Sequence, residues 1–216
     1  MKNVLITGAT GMIGGIVLRE CLAHSEVGSV TIIVRRSTGQ HHPKLTEILH
    51  DDFTDYSKIA DHFKNVDVAQ FCIGVYTGQV PRDQFRVITV DFTAAFADML
   101  KQHSPQATFC FLSGQGADQT ESSRLMFAKD KGIAENALLR QAFGATYIFR
   151  PAYIYPVTPR KEPSFTYRLM RSLYPLLKAI YPQGAISSER LAKAMFKAGL
   201  YGADKTILEN EDIKAV

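Results

Sequence analysis

The 216-residue sequence contains no tryptophan and only three cysteines, Cys21, Cys72 and Cys110. The cysteines lie inside apolar runs and lack the spacing of a metal site, which predicts reduced, buried thiols and no bound metal. No apolar run is long enough to span a bilayer, and the chain begins with a strand-like segment. We therefore expect neither a membrane-spanning segment nor a signal peptide, and a cytoplasmic location.

The sequence also lacks a strong charge of either sign. Its 25 basic and 21 acidic residues give a net charge of +4, and the basic residues are scattered along the chain. This distribution favours a small anionic ligand over nucleic acid. With 46% hydrophobic residues, the chain is long enough for one well-buried core and short for two, so we predict a single domain over residues 1–216.

A short apolar run at the N-terminus leads directly into three regularly spaced glycines, Gly8, Gly11 and Gly14. Gly8 allows a tight turn out of a strand, Gly11 lets a pyrophosphate approach the backbone, and Gly14 lets the next helix pack closely against the sheet. The helix N-terminus presents N–H groups to the phosphates. The predicted phosphate site comprises Gly8, Thr10, Gly11, Met12, Ile13 and Gly14. The alternative is a glycine-rich turn that binds no ligand.

Apolar, β-branched runs alternate with helical patterns along most of the chain, and a long helix is predicted for Pro81–Gln102. The predicted strands are Val4–Ile6, Ser29–Val34, Thr46–Leu49, Val66–Cys72, Thr108–Leu112, Ala145–Phe149 and a last edge strand at Thr206–Leu208. This pattern predicts an α/β fold with a doubly wound, mostly parallel sheet of the Rossmann type. The expected strand order is 3-2-1-4-5-6, with a seventh strand at the edge.

Two arginines, Arg35 and Arg36, follow the second predicted strand. At this place an acidic residue binds the ribose 2′-hydroxyl of NAD, whereas arginine accommodates the 2′-phosphate of NADP. We therefore predict NADP(H) as the cofactor. A solvated strand end is the alternative, and it would leave the cofactor preference open. Gly74 follows the fourth strand, where ligands bind in open parallel sheets, and we expect it to pass close to the cofactor.

Two motifs resemble the short-chain dehydrogenase/reductase superfamily. The first is the Thr-Gly-x-x-Gly-x-x-Gly spacing at 7–14, and the second is Leu-Ser-Gly-Gln-Gly-Ala-Asp at 112–118 followed by Phe-Ala-Lys-Asp-Lys-Gly at 127–132. The second motif is most similar to the atypical branch that contains the Tat-interacting protein, with its Leu-Ser-Ser-x-Gly-Ala-Asp turn and Tyr-x-x-x-Lys-Gly helix. The resemblance covers nearly the whole chain and is strongest in the nucleotide-binding half.

The resemblance implies roles for residues at the catalytic end. Ser113 would hydrogen-bond the substrate oxygen, and Lys131 would hold the nicotinamide ribose. The loop containing Pro151 and Tyr153 would pass the nicotinamide.

The resemblance also places Asp52 and Phe53 against the adenine. Asp52 has a second interpretation from its position alone, as a cap of the helix predicted for Tyr56–Phe63. The two interpretations are not exclusive.

The chain departs from the family pattern at two positions. Phe127 stands in place of the tyrosine, and Gly114 stands in place of the second serine. Phenylalanine has no ionisable hydrogen, so the usual proton relay cannot pass through residue 127. Another tyrosine, such as Tyr76, Tyr153 or Tyr155, could replace it, the cofactor could serve a reaction that needs no tyrosine, or the protein could bind NADP(H) without turnover.

These alternatives lead to three hypotheses of function. The first is an NADP(H)-dependent oxidoreductase of the atypical short-chain type that acts on a small carbonyl or alcohol substrate. The second is a non-catalytic NADP(H)-binding redox sensor or regulatory protein. A nucleotide-sugar epimerase is the third, and it is disfavoured because the chain is short for the usual substrate-binding lobe.

The last part of the chain, residues 160–216, is predicted to form a cap on the substrate side. Within it, Ser164–Tyr181 is rich in leucine, tyrosine and basic residues. This segment fits a substrate lid or a cover of the core, then a contact in a homodimer and last a helix on a membrane surface, in that order of preference. A capped amphipathic helix is predicted to begin at Ser187–Glu189.

Overall fold

A seven-stranded sheet runs through the part of the chain that the computed structural model describes, residues 1–158 and 184–216. Its strands are β1 (Lys2–Thr7), β2 (Val27–Val34), β3 (Leu45–Leu49), β4 (Val68–Phe71), β5 (Thr108–Leu112), β6 (Ala145–Arg150) and β9 (Ile207–Glu209). Two short strands, β7 (Tyr153–Tyr155) and β8 (Ala185–Ser187), form a separate parallel pair.

Every pair of neighbouring strands in the main sheet is parallel, and the order is β3-β2-β1-β4-β5-β6-β9. The predicted fold class, strand order and seventh edge strand are therefore confirmed. Strand β9 pairs with β6, with Ile207 opposite Ile148. The strand boundaries differ from the prediction by up to two residues.

Helices cover both faces of this sheet. They are α1 (Met12–Ala23), a 3₁₀ helix (Ser57–Phe63), α2 (Arg82–Arg86), a π-helical turn (Val87–Asp91), α3 (Phe92–His103), α4 (Met126–Gln141), α5 (Ser188–Tyr201) and α6 (Asn210–Ala215). The Ser187 hydroxyl accepts the Arg190 N–H at the start of α5, as the capped helix predicted. None of the described helices combines the length and apolar character needed to cross a bilayer.

Alternating side chains of the strands form one core on each face. Val4 and Ile6 of β1 pack with α1 and α5, whereas Leu5 between them packs with α3 and α4. Both cores are apolar, so the central strands are hydrophobic on both faces, as parallel strands covered by helices must be. A ligand can therefore bind only where the strands end, because both faces of the sheet are covered.

The long helix predicted for Pro81–Gln102 is continuous from Arg82 to His103, but it contains the π-helical turn. The predicted apolar stripe holds, because Phe85 and Phe96 are buried. The π-helical turn adds one residue to the helix but leaves the same face buried. The hydrophobic spacing therefore does not reveal it. The Thr93 hydroxyl donates to the Thr89 carbonyl at this turn.

The segment predicted to be a cap divides into two parts. Residues 159–183, which include Ser164–Tyr181, lie outside the described residues. In residues 184–216, β9 extends the main sheet and α5 packs against α1, β4 and β5. This described part therefore completes the layers of the sheet, and the amphipathic pattern of α5 reflects burial against them rather than a lid over a ligand.

The aromatic cluster on the α3 face gives a test of the fold. Phe96 is fully buried, and its ring contacts the rings of Tyr56, Phe63, Phe71 and Phe109 at 5.1–5.8 Å between centroids. We expect Phe96→Ala to lower the free energy of unfolding by about 3–5 kcal/mol through the cavity it leaves. Urea denaturation followed by circular dichroism measures this, and Leu139→Ala on the exposed face of α4 serves as control. A loss no larger than that of the control would contradict the packing.

Candidate dinucleotide-binding site

The three N-terminal glycines form a compact turn between β1 and α1. Gly8 has a φ of +75°, and its carbonyl accepts the Gly11 N–H at 2.8 Å. A Cβ at Gly8 would lie 2.7 Å from the Cys72 backbone, and one at Gly14 would lie 2.3 Å from the Gly8 carbonyl oxygen. Side chains at these two positions are therefore excluded by backbone atoms, as the sequence predicted.

The surface of this turn is open to a ligand. Gly11 is the N-cap of α1 and makes no side-chain cap, and both Thr10 and Gly11 are exposed. Met12 is half-buried, whereas the Ile13 side chain is buried in the core and can face a ligand through its backbone alone. Exposed N–H groups at the start of a 12-residue helix suit a pyrophosphate.

The two arginines lie at the same edge of the sheet as the glycine turn. Thr7 of β1 is opposite Ile33 of β2, so Arg35 and Arg36 follow at the level of the glycine turn. Both arginine side chains are exposed. They can thus reach a phosphate on the adenosine ribose, and their role remains a prediction.

Asp52 and Phe53 differ in what they can offer an adenine. The exposed Asp52 carboxylate accepts hydrogen bonds from the Thr54 hydroxyl and N–H, which hold its pKa below the usual value. Asp55, not Asp52, accepts the Ser57 N–H at the start of the 3₁₀ helix, so the capping interpretation of Asp52 is wrong. Phe53 is 4% exposed and packs in the aromatic cluster. Little of the Phe53 side chain is therefore open to an adenine, and its contact with one stays a prediction.

Gly74 follows β4 and has open space beside it. A Cβ at this position would meet no protein atom within 4 Å. Packing within the described residues therefore does not require glycine here, and close approach of a cofactor stays a prediction.

Ser113 has a buried acidic partner at the end of β5. The Ser113 side chain is buried, and its hydroxyl donates to Glu135 Oε1 at 2.6 Å. Its hydrogen is thus directed to a buried carboxylate, and the contact of Ser113 with a substrate oxygen stays a prediction. The sequence could not show this, since Glu135 becomes a neighbour only when α4 packs against the end of β5.

Lys131 lies on the same side of α4 as Glu135, facing the end of β5. Its ammonium group donates to the Leu112 carbonyl at 2.9 Å and lies 4.8 Å from the centre of the Phe111 ring. Burial lowers the pKa of Lys131 to about 8, against the opposing effect of the Glu135 charge. A lysine ammonium has three donors, so one contact with Leu112 leaves donors for a ribose.

Gly132, the next residue, lets α4 approach the turn. A Cβ at Gly132 would lie 1.7 Å from the Asp118 carbonyl oxygen, a distance that no side chain tolerates. The glycine of the Lys-Gly pair is thus explained by the close packing of α4 against the backbone of Asp118.

The two departures from the family pattern are neighbours in space. A Cβ at Gly114 would lie 2.6 Å from Phe127 Cζ and 3.4 and 3.5 Å from the two Cε atoms. These nearly equal distances place the absent Cβ on the long axis of the ring, beyond its tip. Phe127 therefore points at the place of a residue-114 side chain, and a Cβ at residue 114 would force the ring tip to move.

Phe127 has an apolar neighbour on its other side as well. Its half-buried ring lies 6.4 Å from the ring of Phe85, which is 1% exposed. Neither Phe127 nor Gly114 offers a hydroxyl, so these two positions supply no proton donor.

The loop after β6 is tied to the turn after β5. The buried Pro151 carbonyl accepts the Gln115 N–H at 2.9 Å, and Tyr153 follows on β7 with a half-buried side chain. Pro151 therefore has a structural role, and its contact with a cofactor stays a prediction. Among the described residues, no group of three or more histidine, cysteine or acidic side chains is arranged to hold a metal ion.

A parallel sheet in this order, with a glycine turn at the start of its first helix, defines a dinucleotide-binding α/β protein of the Rossmann type. Residues 8–198 match the family model described as NAD(P)H-binding. The chain belongs to this NAD(P)H-binding family.

Two relatives support the resemblance found in the sequence. The chain is 28% identical to Protein HTATIP2 of Rattus norvegicus over 155 residues, which cover 71% of this chain and 63% of that protein. It is 25% identical to Protein fmp52, mitochondrial, of Aspergillus niger over 214 residues, which cover 93% of this chain and 88% of that protein. The predicted resemblance to the branch that contains the Tat-interacting protein is confirmed.

Solved structures show the same fold. A reductase engineered to attenuate substrate inhibition superposes with a TM-score of 0.72 and 16% identity, covering 96% of this chain and 78% of that chain. The Bordetella bronchiseptica enzyme WbmH in complex with NAD⁺ superposes with a TM-score of 0.70 and 16% identity, covering 96% and 74%. At these identities the likeness shows the fold.

The contact between Gly114 and Phe127 can be measured by a double-mutant cycle. We expect Gly114→Ala to lower the free energy of unfolding by about 1–3 kcal/mol, because the new Cβ meets the ring tip. In a Phe127→Ala background the same substitution should cost little. Gly74→Ala, where the space is open, is the matched control. Equal effects of Gly114→Ala in the two backgrounds would contradict the contact.

Proposed function

We propose that this protein binds NADP(H) at the carboxyl ends of β1, β2 and β4, and that it acts as a redox sensor or regulatory protein rather than by a tyrosine-based hydride transfer. The observation that carries the second part is the Phe127 ring directed at Gly114. When bound, the nicotinamide supplies hydride chemistry, but these two positions offer no hydroxyl to protonate a carbonyl.

The described residues fit such a cofactor. The glycine turn would hold the pyrophosphate through the N–H groups at the start of α1, where Thr10 and Gly11 are exposed. Arg35 and Arg36 would bind the 2′-phosphate, and Lys131 would donate to the nicotinamide ribose. This arrangement supports NADP(H) because two cations and no carboxylate directly follow β2.

The second candidate is a reductase of a small carbonyl compound. The half-buried Tyr153 favours it, because this tyrosine directly follows the β6 loop that is joined to the turn after β5. In this case Tyr153 would hold the proton that Phe127 cannot. The predictions of a cytoplasmic location and of a homodimer remain part of the proposal, although one relative is named as mitochondrial.

The cofactor preference is tested with the two arginines. Each of Arg35→Ser and Arg36→Ser removes a charge-assisted contact of about 1.5–3 kcal/mol, so NADPH affinity should fall about 10- to 150-fold while NADH affinity changes little. Calorimetric titration measures both, with Arg140→Ser on the last turn of α4 as a control of equal charge. Binding of neither cofactor by the unchanged protein would contradict the proposed function, and equal losses for NADPH and NADH would contradict the role of the arginines.

Turnover separates the two candidates. NADPH oxidation is followed with a panel of aldehydes, ketones and quinones, first with the unchanged protein and then with Tyr153→Phe. The sensor predicts NADPH binding without oxidation above the rate in buffer. Oxidation that Tyr153→Phe lowers by about 100-fold or more, the size of a lost general acid, would establish the reductase instead.

A further inference from the structure

One fully buried carboxylate organises the catalytic end of the site. Glu135 lies one turn after Lys131 on α4 and is 0% exposed. Its carboxylate accepts hydrogen bonds from the Ser113 hydroxyl at 2.6 Å, from Gln119 Nε2 at 2.9 Å, and from Arg150 Nε at 3.0 Å and Nη2 at 2.5 Å. Such a carboxylate is fully satisfied, which makes a buried charge tolerable.

These contacts fix the connection between β5 and α4, beginning with its first residue, Ser113. Ser113 directly follows β5 and Gln119 lies further along the same connection, and Glu135 binds both. Lys131 binds the Leu112 carbonyl, the residue before Ser113. Two successive turns of α4 therefore fix the end of β5, and the position of Lys131 relative to this end depends on Glu135.

The charges around Lys131 come from three elements. Arg150 of β6 bridges Glu135 of α4 and Glu209 of β9, with a 3.0 Å contact to Glu209. Two carboxylates thus share one guanidinium, and the group keeps one negative charge that balances buried Lys131. Strand β5 presents the Leu112 carbonyl and the Phe111 ring to the ammonium group.

A second acidic residue on α4 is balanced elsewhere. Asp130 is 5% exposed and pairs with Arg86 of α2 at 3.0 Å. Its charge is therefore compensated on another face of the helix, which makes it a matched control for Glu135.

We propose that Glu135 is a positioning residue of the cofactor site, which orders the turn after β5 and supplies the negative charge that keeps Lys131 cationic beside the ribose. This inference rests on the cofactor binding proposed above. Ser113 becomes an anchor of the turn, and the acidic group acts on the ligand through Lys131.

The test is the pH dependence of NADPH affinity, measured calorimetrically from pH 6 to 9.5. Because burial lowers the pKa of Lys131 to about 8, affinity should fall as the pH rises through this value and the ammonium group loses its charge. Lys131→Arg keeps its charge over this range and should remove the fall. Glu135→Gln removes the charge that raises the pKa of Lys131. In this variant the fall in NADPH affinity should therefore occur at a lower pH, by on the order of one pH unit.

The controls separate this role from a structural one. Ser113→Ala removes a hydrogen bond but no charge, and Asp130→Asn removes a compensated charge, so both should keep the pH of the fall unchanged. A purely structural Glu135 would change thermal stability and leave this pH where it is. That result would overturn the inference, as would an unchanged profile in Lys131→Arg.

A milder variant covers the case in which Glu135→Gln does not fold. Glu209 is half-exposed, and Glu209→Gln removes one negative charge from the same group. NMR titration of the lysine ε-carbons, with the Lys131 signal assigned from Lys131→Arg, should show a smaller shift of the Lys131 pKa in the same direction. No shift overturns the inference, whereas absence of NADPH and NADH binding at pH 6.5 in the unchanged protein overturns the proposed function instead.

Discussion

The ion pair between the buried Glu135 and Arg150 connects separate elements at one end of the sheet. It joins α4 to β6, reaches β9 through Glu209, and holds the turn after β5 through Ser113. Removing one partner of a buried pair typically costs about 3–5 kcal/mol, since the other charge stays behind without compensation. The geometry around Lys131 and the turn after β5 therefore depends on one buried acidic group.

Side-chain packing changes the meaning of the two departures from the family pattern. Phe127 and Gly114 look like two independent losses in the sequence, yet the ring tip occupies the space of the residue-114 side chain. They form one structural unit, because glycine makes room for the ring and the ring fills the space that glycine leaves. Neither side chain of this unit offers a hydroxyl.

The sequence predicted the nucleotide-binding half well, because its signals are local. Backbone contacts exclude side chains at Gly8 and Gly14, and apolar runs between helical patterns mark the strands. It predicted the catalytic half less well, for identifiable reasons. Ser113 was assigned to the substrate, but Glu135, which takes its hydrogen, is 22 residues away along the chain. Asp52 was expected to cap the helix, but Asp55 accepts the Ser57 N–H, and spacing alone does not separate two aspartates that precede the helix. The π-helical turn at Val87–Asp91 keeps the apolar stripe and so left no trace in it.

By itself, the sequence determined the α/β class, the strand order, the seventh strand and the glycine turn. The class follows from the alternation of strand-like and helical patterns, and the strand order follows from the Rossmann type that this alternation and the glycine turn indicate. Only the tertiary structure decided which side chains of the motif face a ligand and which are held in the interior. Packing of α4 against the end of β5 brings Glu135 to Arg150 and Phe127 to Gly114. The spacing of residues along the chain does not determine these distances, because each pair joins separate elements.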